Sequence, residues 1–470
     1  MADHIAPGFD YDVAVLGGGP GGYEAAIRCA QYSLKTVLIE ARELGGTCLN
    51  RGCIPTKALL HGAEVYSGIL SASAFGITVG ECSMDFEKLS AFKDKQVEKL
   101  RRGIAALEKA HGVEVVNAFG RLTDAHTIDA GGRRITAANI ILATGSAPSL
   151  PPIPGIDAAG VMTSDDALAM RELPDSVVII GGGVIGMEFA TLFSAFGRKV
   201  TVLEMMPAIL PGVDADITSS LNQTLTQRGV RIVTGARVDS IGNTGGGLCV
   251  AYTLGHEQDS ASADCCLVSV GRRAQTAGIG LEETGVDMDR SFVRTDDHMR
   301  TNIGHIYAIG DITGKVQLAH VASAQGLIAA ANCAGRDEIM RYDVIPTCIY
   351  TDPEIACVGL TEEKARAAGK NVKTGMFNVA GNGRALAMNA AQGFIKLVTE
   401  PSTGEILGAQ ILAPHATDMI AEIAAVMRCE GTVEELAATI HPHPTVSEII
   451  MEAAHDAQGL CCHAVPPKRF

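Results

Sequence analysis

Two stretches of this chain repeat one unit, and that repeat limits the possible folds more than any other feature. Residues 11–40 read YDVAVLGGGPGGYEAAIRCAQYSLKTVLIE, and residues 177–204 read VVIIGGGVIGMEFATLFSAFGRKVTVLE. Each has a short apolar run, a Gly-x-Gly-x-x-Gly turn, a helical pattern, a second apolar run and a closing acid. The glycines are Gly17, Gly19 and Gly22 in the first copy and Gly181, Gly183 and Gly186 in the second. In such a turn the first glycine makes the tight bend, and the second lets the backbone approach a pyrophosphate. The third lets the helix sit close to the strand, and the helix N-terminus attracts phosphate charge. The acids, Glu40 and Glu204, stand 18 residues after the third glycine in both copies (22 to 40, 186 to 204), where a carboxylate accepts hydrogen bonds from a ribose. Glu204 is followed by Met205 and Met206, with no Arg, which favours a free 2′-hydroxyl and hence NAD over NADP. The repeat predicts two dinucleotide-binding α/β units.

The rest of the composition narrows the class. A chain of 470 residues, 47% hydrophobic, is long enough for about three domains with separate cores. Its 38 basic and 53 acidic residues give a net charge of -15 without a basic tract, which argues against nucleic acid or an anionic membrane as the main partner. The start, MADHIAPGFD, lacks the basic and apolar regions of a signal peptide. Val177 to Gly197 is long enough to span a bilayer, but five glycines and Glu188 break it. Thirteen cysteines in no regular framework fit a reducing cytoplasm, and the absence of CxxC pairs leads us to expect no metal site.

Between the first acid and the second unit lies GGTCLNRGCIPTK, Gly45 to Lys57, with Cys48 and Cys53 just before an apolar run. A bridge between them requires a bent start to a helix, because an extended step would carry the Cα atoms roughly 16 Å apart. Pro55 suits the first helical position, and a thiol at a helix N-terminus reacts as thiolate. A reversible redox disulfide and two unrelated core cysteines are both open at this point. Arg51, between them, is a cation that either lowers a thiol pKa or faces solvent, and solvent is the expectation. Phe86 to His111 reads as an amphipathic segment, Ile140 to Ser146 as a strand ending on Thr-Gly, and Pro148 to Gly155 as a linker. Thr301 to Asp311, TNIGHIYAIGD, is an apolar strand closing on an acid. In the tail, apolar runs at Gly393 to Val398 and Ile406 to Ile411 precede helical patterns at Ala416 to Arg428 and Val433 to Ala438, which predicts an α+β module. It ends on HPHPTVSEII, where Glu448 can fix the tautomer of His443; a turn histidine held between prolines is the alternative.

Taken in order, GGTCLNRGCIPTK, the two glycine units, ILATG, TNIGHIYAIGD and HPHPTVSE resemble the flavin-dependent pyridine nucleotide-disulfide oxidoreductases over essentially the whole chain, and most of all those members that oxidise dihydrolipoamide. The resemblance implies an FAD domain over residues 1–147, completed by 272–342, an NAD domain over 148–271, and a dimerisation domain over 343–470. It implies that Cys48 exchanges with the substrate dithiol, that Cys53 contacts the flavin, and that His443, oriented by Glu448, is the acid/base delivered from the partner of a homodimer. Lys57 would sit near the flavin and pair with Glu188. Gly17, Gly19, Gly22, Glu40, Gly145 and Asp311 would hold FAD, with Gly120 and Ala319 contributing backbone. Gly181, Gly183, Val184, Ile185, Gly186 and Glu204 would hold NAD, with Gly271 and Val238. The protein partner would be the lipoyl domain or carrier protein of a 2-oxoacid dehydrogenase or glycine cleavage complex. Arg51 departs from the small apolar residue expected there. The vicinal Cys461 and Cys462 resemble the tail of the mercuric reductases, an alternative weighed against by His443, which stands where those enzymes carry a tyrosine. A non-catalytic flavin-binding protein on the same fold is the alternative of another class.

Overall fold

The computed structural model describes residues 8–464. Strand Tyr11–Leu16 is buried along its whole length, as a parallel strand covered on both faces must be. It pairs in parallel with Thr36–Glu40 on one side and Arg133–Leu142 on the other. Glu114–Asn117 and Ile306–Ala308 extend the parallel part, while Gly120–Asp124 and Thr127–Ala130 add antiparallel strands to Arg133–Leu142. Ile306–Ala308 returns to this sheet after the whole second unit, so Asp311 reaches the first unit from far along the chain.

The second sheet is parallel, in the order Arg231–Thr234, Lys199–Glu204, Ser176–Ile180, Cys265–Val268 and Val161–Met162. A separate antiparallel sheet of three strands, Ala236–Asn243, Leu248–Leu254 and Glu257–Ala263, packs beside it. Ser146–Pro148 pairs with Arg272–Ala274 where the chain leaves and re-enters the second unit. The tail forms a five-stranded antiparallel sheet, Thr347–Ile349, Glu354–Gly359, Ile406–Ala413, Phe394–Thr399 and Lys373–Asn378, covered by helices that include Ala416–Arg428 and Glu448–Gln458. The fold is α/β, with two dinucleotide-binding units of Rossmann type and an α+β tail. Helices Ala416–Arg428 and Val433–Ala438 have the bounds that the sequence predicts. The predicted strand from Thr301 shortens to Ile306–Ala308, because Thr301 turns back to accept from and donate to its own neighbours, including a bond from its hydroxyl to Ile306 O.

Helix Phe86–Ala110 buries one face against Leu49, through Val97 and Ile104. On the same helix Glu108 is fully buried, and neither carboxylate oxygen has a hydrogen-bond partner among the described residues. Burial pushes its pKa up to about 8, so the group is protonated at neutral pH. Because the folded value lies above the ordinary one, the folded state holds this proton more tightly, and stability falls as pH rises from about 4.5 towards 8. Glu108→Leu is therefore expected to stabilise the protein by on the order of 2 kcal/mol at pH 8 and by less at pH 5, as read by chemical unfolding at the two pH values. An equal change at both would contradict the buried, titrating carboxyl.

Candidate active site

The two glycine turns have one geometry. Gly17 and Gly181 take φ of +108° and +104°, and a Cβ on either would lie 2.3 Å from Ala143 O or 2.5 Å from Ser269 O. A Cβ on Gly22 or Gly186 would meet the carbonyl oxygen of the first glycine of its own turn at 1.9 and 2.0 Å, so the helices sit as close to their strands as the backbone permits. At Gly183 nothing lies within 4 Å, and at Gly19 only Gly46 Cα comes near, at 3.9 Å. The first and third positions are thus filled by protein and the second is left open, which fits a pyrophosphate lying against each helix N-terminus. The two acids also match. Glu40 accepts from the N–H groups of Gly18 and Arg42 at 2.6 and 2.7 Å, and Glu204 from those of Gly182 and Met206, both at 2.6 Å.

Both turns open into one cavity of about 1640 Å³. It is lined by Gly17, Gly19, Gly22, Glu40, Gly120, Gly145, Asp311 and Ala319 from the first unit and by Gly181, Gly183, Val184, Ile185, Glu204, Val238 and Gly271 from the second. Gly186 is the exception among the predicted cofactor residues, packed behind its turn and off the cavity wall. Sequence reasoning missed Ser146 and Arg272. Arg272 Nε donates to Ser146 Oγ at 2.7 Å, and Ser146 Oγ in turn donates to Asp311, which orients the carboxylate over the cavity. The signal for Ser146 was present, since it directly follows the Thr-Gly at the end of Arg133–Leu142.

Cys48 and Cys53 lie on the wall of this cavity, on two helices and not on one bent start. Cys48 belongs to the short helix Gly46–Arg51, and Cys53 is the first residue of helix Cys53–Leu70, so Pro55 stands third and not first. Gly52 joins the helices, and a Cβ there would lie 2.9 Å from Thr47 O and 3.3 Å from Cys48 Cα, so only glycine brings the cysteines together. The short helix is fixed to the first turn, because a Cβ on Gly46 would meet Gly19 Cα at 2.6 Å. Asn50 caps the loop by donating to Leu44 O and Gly46 O, each at 2.9 Å.

The two cysteines are not bridged, and with both reduced the Cys48 S–H faces Cys53 as a hydrogen-bond donor. That hydrogen bond lowers the Cys53 pKa to about 7 against the opposing effect of burial, and the Lys57 charge helps. The same bond, with burial, drives Cys48 well above the ordinary thiol range. One proton removed from the pair therefore leaves the charge on Cys53. Lys57 Nζ lies 2.8 and 2.9 Å from the two oxygens of Glu188 and 4.4 Å from the Tyr350 ring centroid. The Tyr350 N–H also donates to Glu188 at 3.1 Å. Glu188 is buried on helix Val184–Ala195, so this cluster joins the first unit, the second unit and the tail sheet beside the cysteines. Tyr350 gave no motif in the sequence.

His443 and Glu448 lie outside the cavity of their own chain. Their pairing is as predicted, with His443 Nδ1 2.9 Å from Glu448 Oε1, while the Thr445 N–H donates to Oε2 at 2.9 Å. A carboxylate only accepts, so Nδ1 carries the proton and Nε2 is left with its lone pair free. Burial would raise the Glu448 pKa, but the Thr445 N–H and His443 outweigh it and hold the group below its usual range. The His443 side chain is 79% exposed, so this base faces outward from the chain. Arg51 does not face solvent as expected, and instead lies against Glu43 and Asp165. Nor do the tail cysteines form a pair of presented thiols. Cys461 turns inward to donate to Glu452 at 3.1 Å, and Cys462 is exposed. Among the described residues, no group of three or more His, Cys, Asp or Glu is placed to hold a metal ion, and no helix is long and apolar enough to cross a membrane.

Comparison with known proteins agrees with this geometry. The family described as pyridine nucleotide-disulphide oxidoreductase matches residues 11–326, and its dimerisation domain matches residues 345–454. A dihydrolipoyl dehydrogenase of Bacillus subtilis is 42% identical over 470 residues, covering 97% of this chain and 99% of its own. One from Chlamydia trachomatis is 43% identical over 465 residues, covering 98% and 99%. Among solved structures, LpdA from Mycobacterium tuberculosis superposes with a TM-score of 0.88 at 30% identity, covering 94% of this chain and 98% of its own. The HOCl-induced flavoprotein disulfide reductase RclA from Escherichia coli superposes with a TM-score of 0.85, also at 30% identity, covering 94% and 98%. The chain belongs to the pyridine nucleotide-disulphide oxidoreductases.

Proposed function

We propose that this chain is a dihydrolipoyl dehydrogenase that oxidises protein-bound dihydrolipoamide and reduces NAD. The observation that carries this reading is the Cys48–Cys53 pair on the wall of a cavity that both dinucleotide turns share. The first turn, with Glu40, Gly145 and Asp311, is assigned to FAD and the second, with Glu204, to NAD. Bound FAD supplies the two-electron link between the dithiol and the nicotinamide.

In the oxidised enzyme, a substrate thiolate attacks Cys48 Sγ, the Cys48–Cys53 bond breaks, a Cys48–substrate disulfide forms, and Cys53 leaves as the thiolate that the Lys57 charge stabilises. The second substrate thiol then attacks its own sulfur bound to Cys48, which closes the lipoamide disulfide and releases Cys48. Each substrate thiol must lose a proton to attack, because at its ordinary pKa near 8.5 it is mostly protonated at neutral pH. His443 Nε2 is the free acceptor, and Glu448 stabilises the imidazolium that forms. Since His443 faces away from its own chain, it serves the cysteines of a second copy in a homodimer formed through the tail module, where the dimerisation domain matches residues 345–454. Lys57 and Glu188 hold the three units in register around the pair. The lipoyl group would arrive on a domain or carrier protein of a 2-oxoacid dehydrogenase or glycine cleavage complex in the cytoplasm.

The mercuric-reductase alternative needs two thiols delivered together by the tail, and Cys461 is occupied by Glu452. Dihydrolipoamide oxidation is to be measured with NAD and with NADP, beside glutathione disulfide, thioredoxin and Hg(II) as acceptors from NADH. The expected result is turnover of dihydrolipoamide with NAD and a rate with NADP lower by roughly 100-fold or more, because Glu204 meets a 2′-phosphate with like charge. Hg(II) reduction without lipoamide turnover would assign the protein to the other branch.

A further inference from the structure

Arg51 sits between the two cysteines in sequence, yet its charge points away from them into an interface. Its Nη1 lies 3.3 Å from Glu43 Oε2 and its Nε 3.8 Å from Asp165 Oδ2. Only 23% of its side chain is exposed. Asp165 stands on helix Ser164–Ala169, which follows the first strand of the second unit. The same segment is tied to helix Phe86–Ala110 by Lys93, which donates to Leu168 O, and by Ser90, which donates to Met170 O at 3.1 Å. Asp165 Oδ1 is buried without a hydrogen-bond partner among the described residues, so Arg51 is a principal countercharge of a carboxylate that burial disfavours. Arg272 and Arg42 also act on Asp165 favourably and Asp166 unfavourably, while Lys57 and Glu188 are the charges that act on Cys53.

We propose that Arg51, matched by Glu43 and Asp165, forms one compensated charge cluster that anchors the short helix Gly46–Arg51 to the second unit and screens the cysteine pair from the Arg51 cation. Arg51 is a positioning residue in this scheme, not a catalytic one, because it touches neither thiol. An unmatched guanidinium two residues along the chain from Cys53 would favour its thiolate and move its titration to lower pH. With its charge matched, the protonation of the pair is left to Cys48, Lys57 and His443. The proposal rests on Cys48 and Cys53 being the redox pair, and the test keeps the two ideas apart. If the redox assignment fails, no thiolate–flavin absorption band forms in any variant; if only the present proposal fails, the band forms but its pH dependence does not move as follows.

The holoenzyme is reduced anaerobically with NADH, and the long-wavelength band is titrated with pH. Asp165→Asn removes one of the two carboxylates that match Arg51, leaving Glu43 alone against it, and moves the onset of the band to lower pH. Arg51→Val leaves Glu43 and Asp165 uncompensated and moves it to higher pH. Each shift is roughly half a unit to one unit, the size expected of one added or removed charge partly screened by solvent. The double variant carries the same local net charge as the parent and titrates with it, and Arg51→Lys, which keeps the charge, also leaves the onset in place. Onsets that stay fixed in both single variants, or that move in the same direction, overturn the proposal and leave Arg51 a purely structural clamp. If Arg51→Val yields no holoenzyme, Asp165→Asn against Arg51→Lys decides in the same way, since only the first is expected to move.

Discussion

Cys53→Ser is expected to abolish lipoamide turnover, to below about one-thousandth of the parent rate, while leaving the fold and flavin binding intact. Serine fills nearly the volume of the thiol at the first position of helix Cys53–Leu70, so Gly52 and the packing of Gly46 on Gly19 are undisturbed. What disappears is the second sulfur, and with it any place to store two electrons as a broken S–S bond. Removing a group that is covalently part of the reaction leaves no alternative route, whereas losing a proton-transfer group costs roughly 10²–10⁴-fold and leaves residual turnover. The spectroscopic arm is sharper. Cys53 is the member of the pair on which negative charge settles, with a pKa of about 7, so the NADH-reduced parent is expected to gain its long-wavelength band as pH rises through about 7 and to lose it below. Cys53→Ser shows no band at any pH. Cys48→Ser also stops turnover but retains a band, with a weaker pH-7 transition because the Ser hydroxyl replaces the thiol donor. If the band survived in Cys53→Ser and vanished in Cys48→Ser, the inner and outer roles would have to be exchanged.

The two dinucleotide units were legible because their constraint is steric. A Cβ cannot be placed at Gly17, Gly22, Gly181 or Gly186 without striking a backbone atom, and that exclusion leaves a fixed spacing in the sequence. The pairing of His443 with Glu448 was legible for a similar reason, since five residues and one turn bring them together locally. Contacts made across the chain left no such pattern. Arg51 reads as a surface cation until Asp165 arrives from another unit, and Tyr350 reads as an ordinary strand residue until its N–H is found on Glu188. Helix Phe86–Ala110 announced an amphipathic period, but not that Glu108, a charged residue by type, falls on its buried side. Helix starts were displaced for a local reason: Pro55 tolerates any of the first helical positions, whose N–H groups have no partner within the helix, so it could not fix the start to one residue.

His443→Gln is expected to lower dihydrolipoamide oxidation by roughly 10²–10⁴-fold while leaving the NADH-driven reduction of the cysteine pair nearly intact. The two half-reactions separate because only the substrate thiols need the base; electrons that enter from NADH reach Cys48 and Cys53 from the side of the cavity that Lys57 and Glu188 line. Glutamine keeps the hydrogen bond to Glu448 through its amide N–H but offers no nitrogen lone pair at the position of Nε2. Glu448→Gln removes the obligate acceptor that fixes the tautomer and lowers the same rate by a smaller factor. The outward exposure of His443, 79% of its side chain, makes a further demand that distinguishes catalysis between protomers from catalysis within one. When His443→Gln and Cys48→Ser chains, each inactive alone, are refolded together in equal amounts, half of the dimers contain one of each. In such a dimer the intact cysteines of one protomer face the intact histidine of the other, and one of its two sites works. The mixture is then expected to recover roughly a quarter of the parent activity. A mixture as inactive as its components would mean that His443 acts on the cysteines of its own chain, which its position outside that chain's cavity denies.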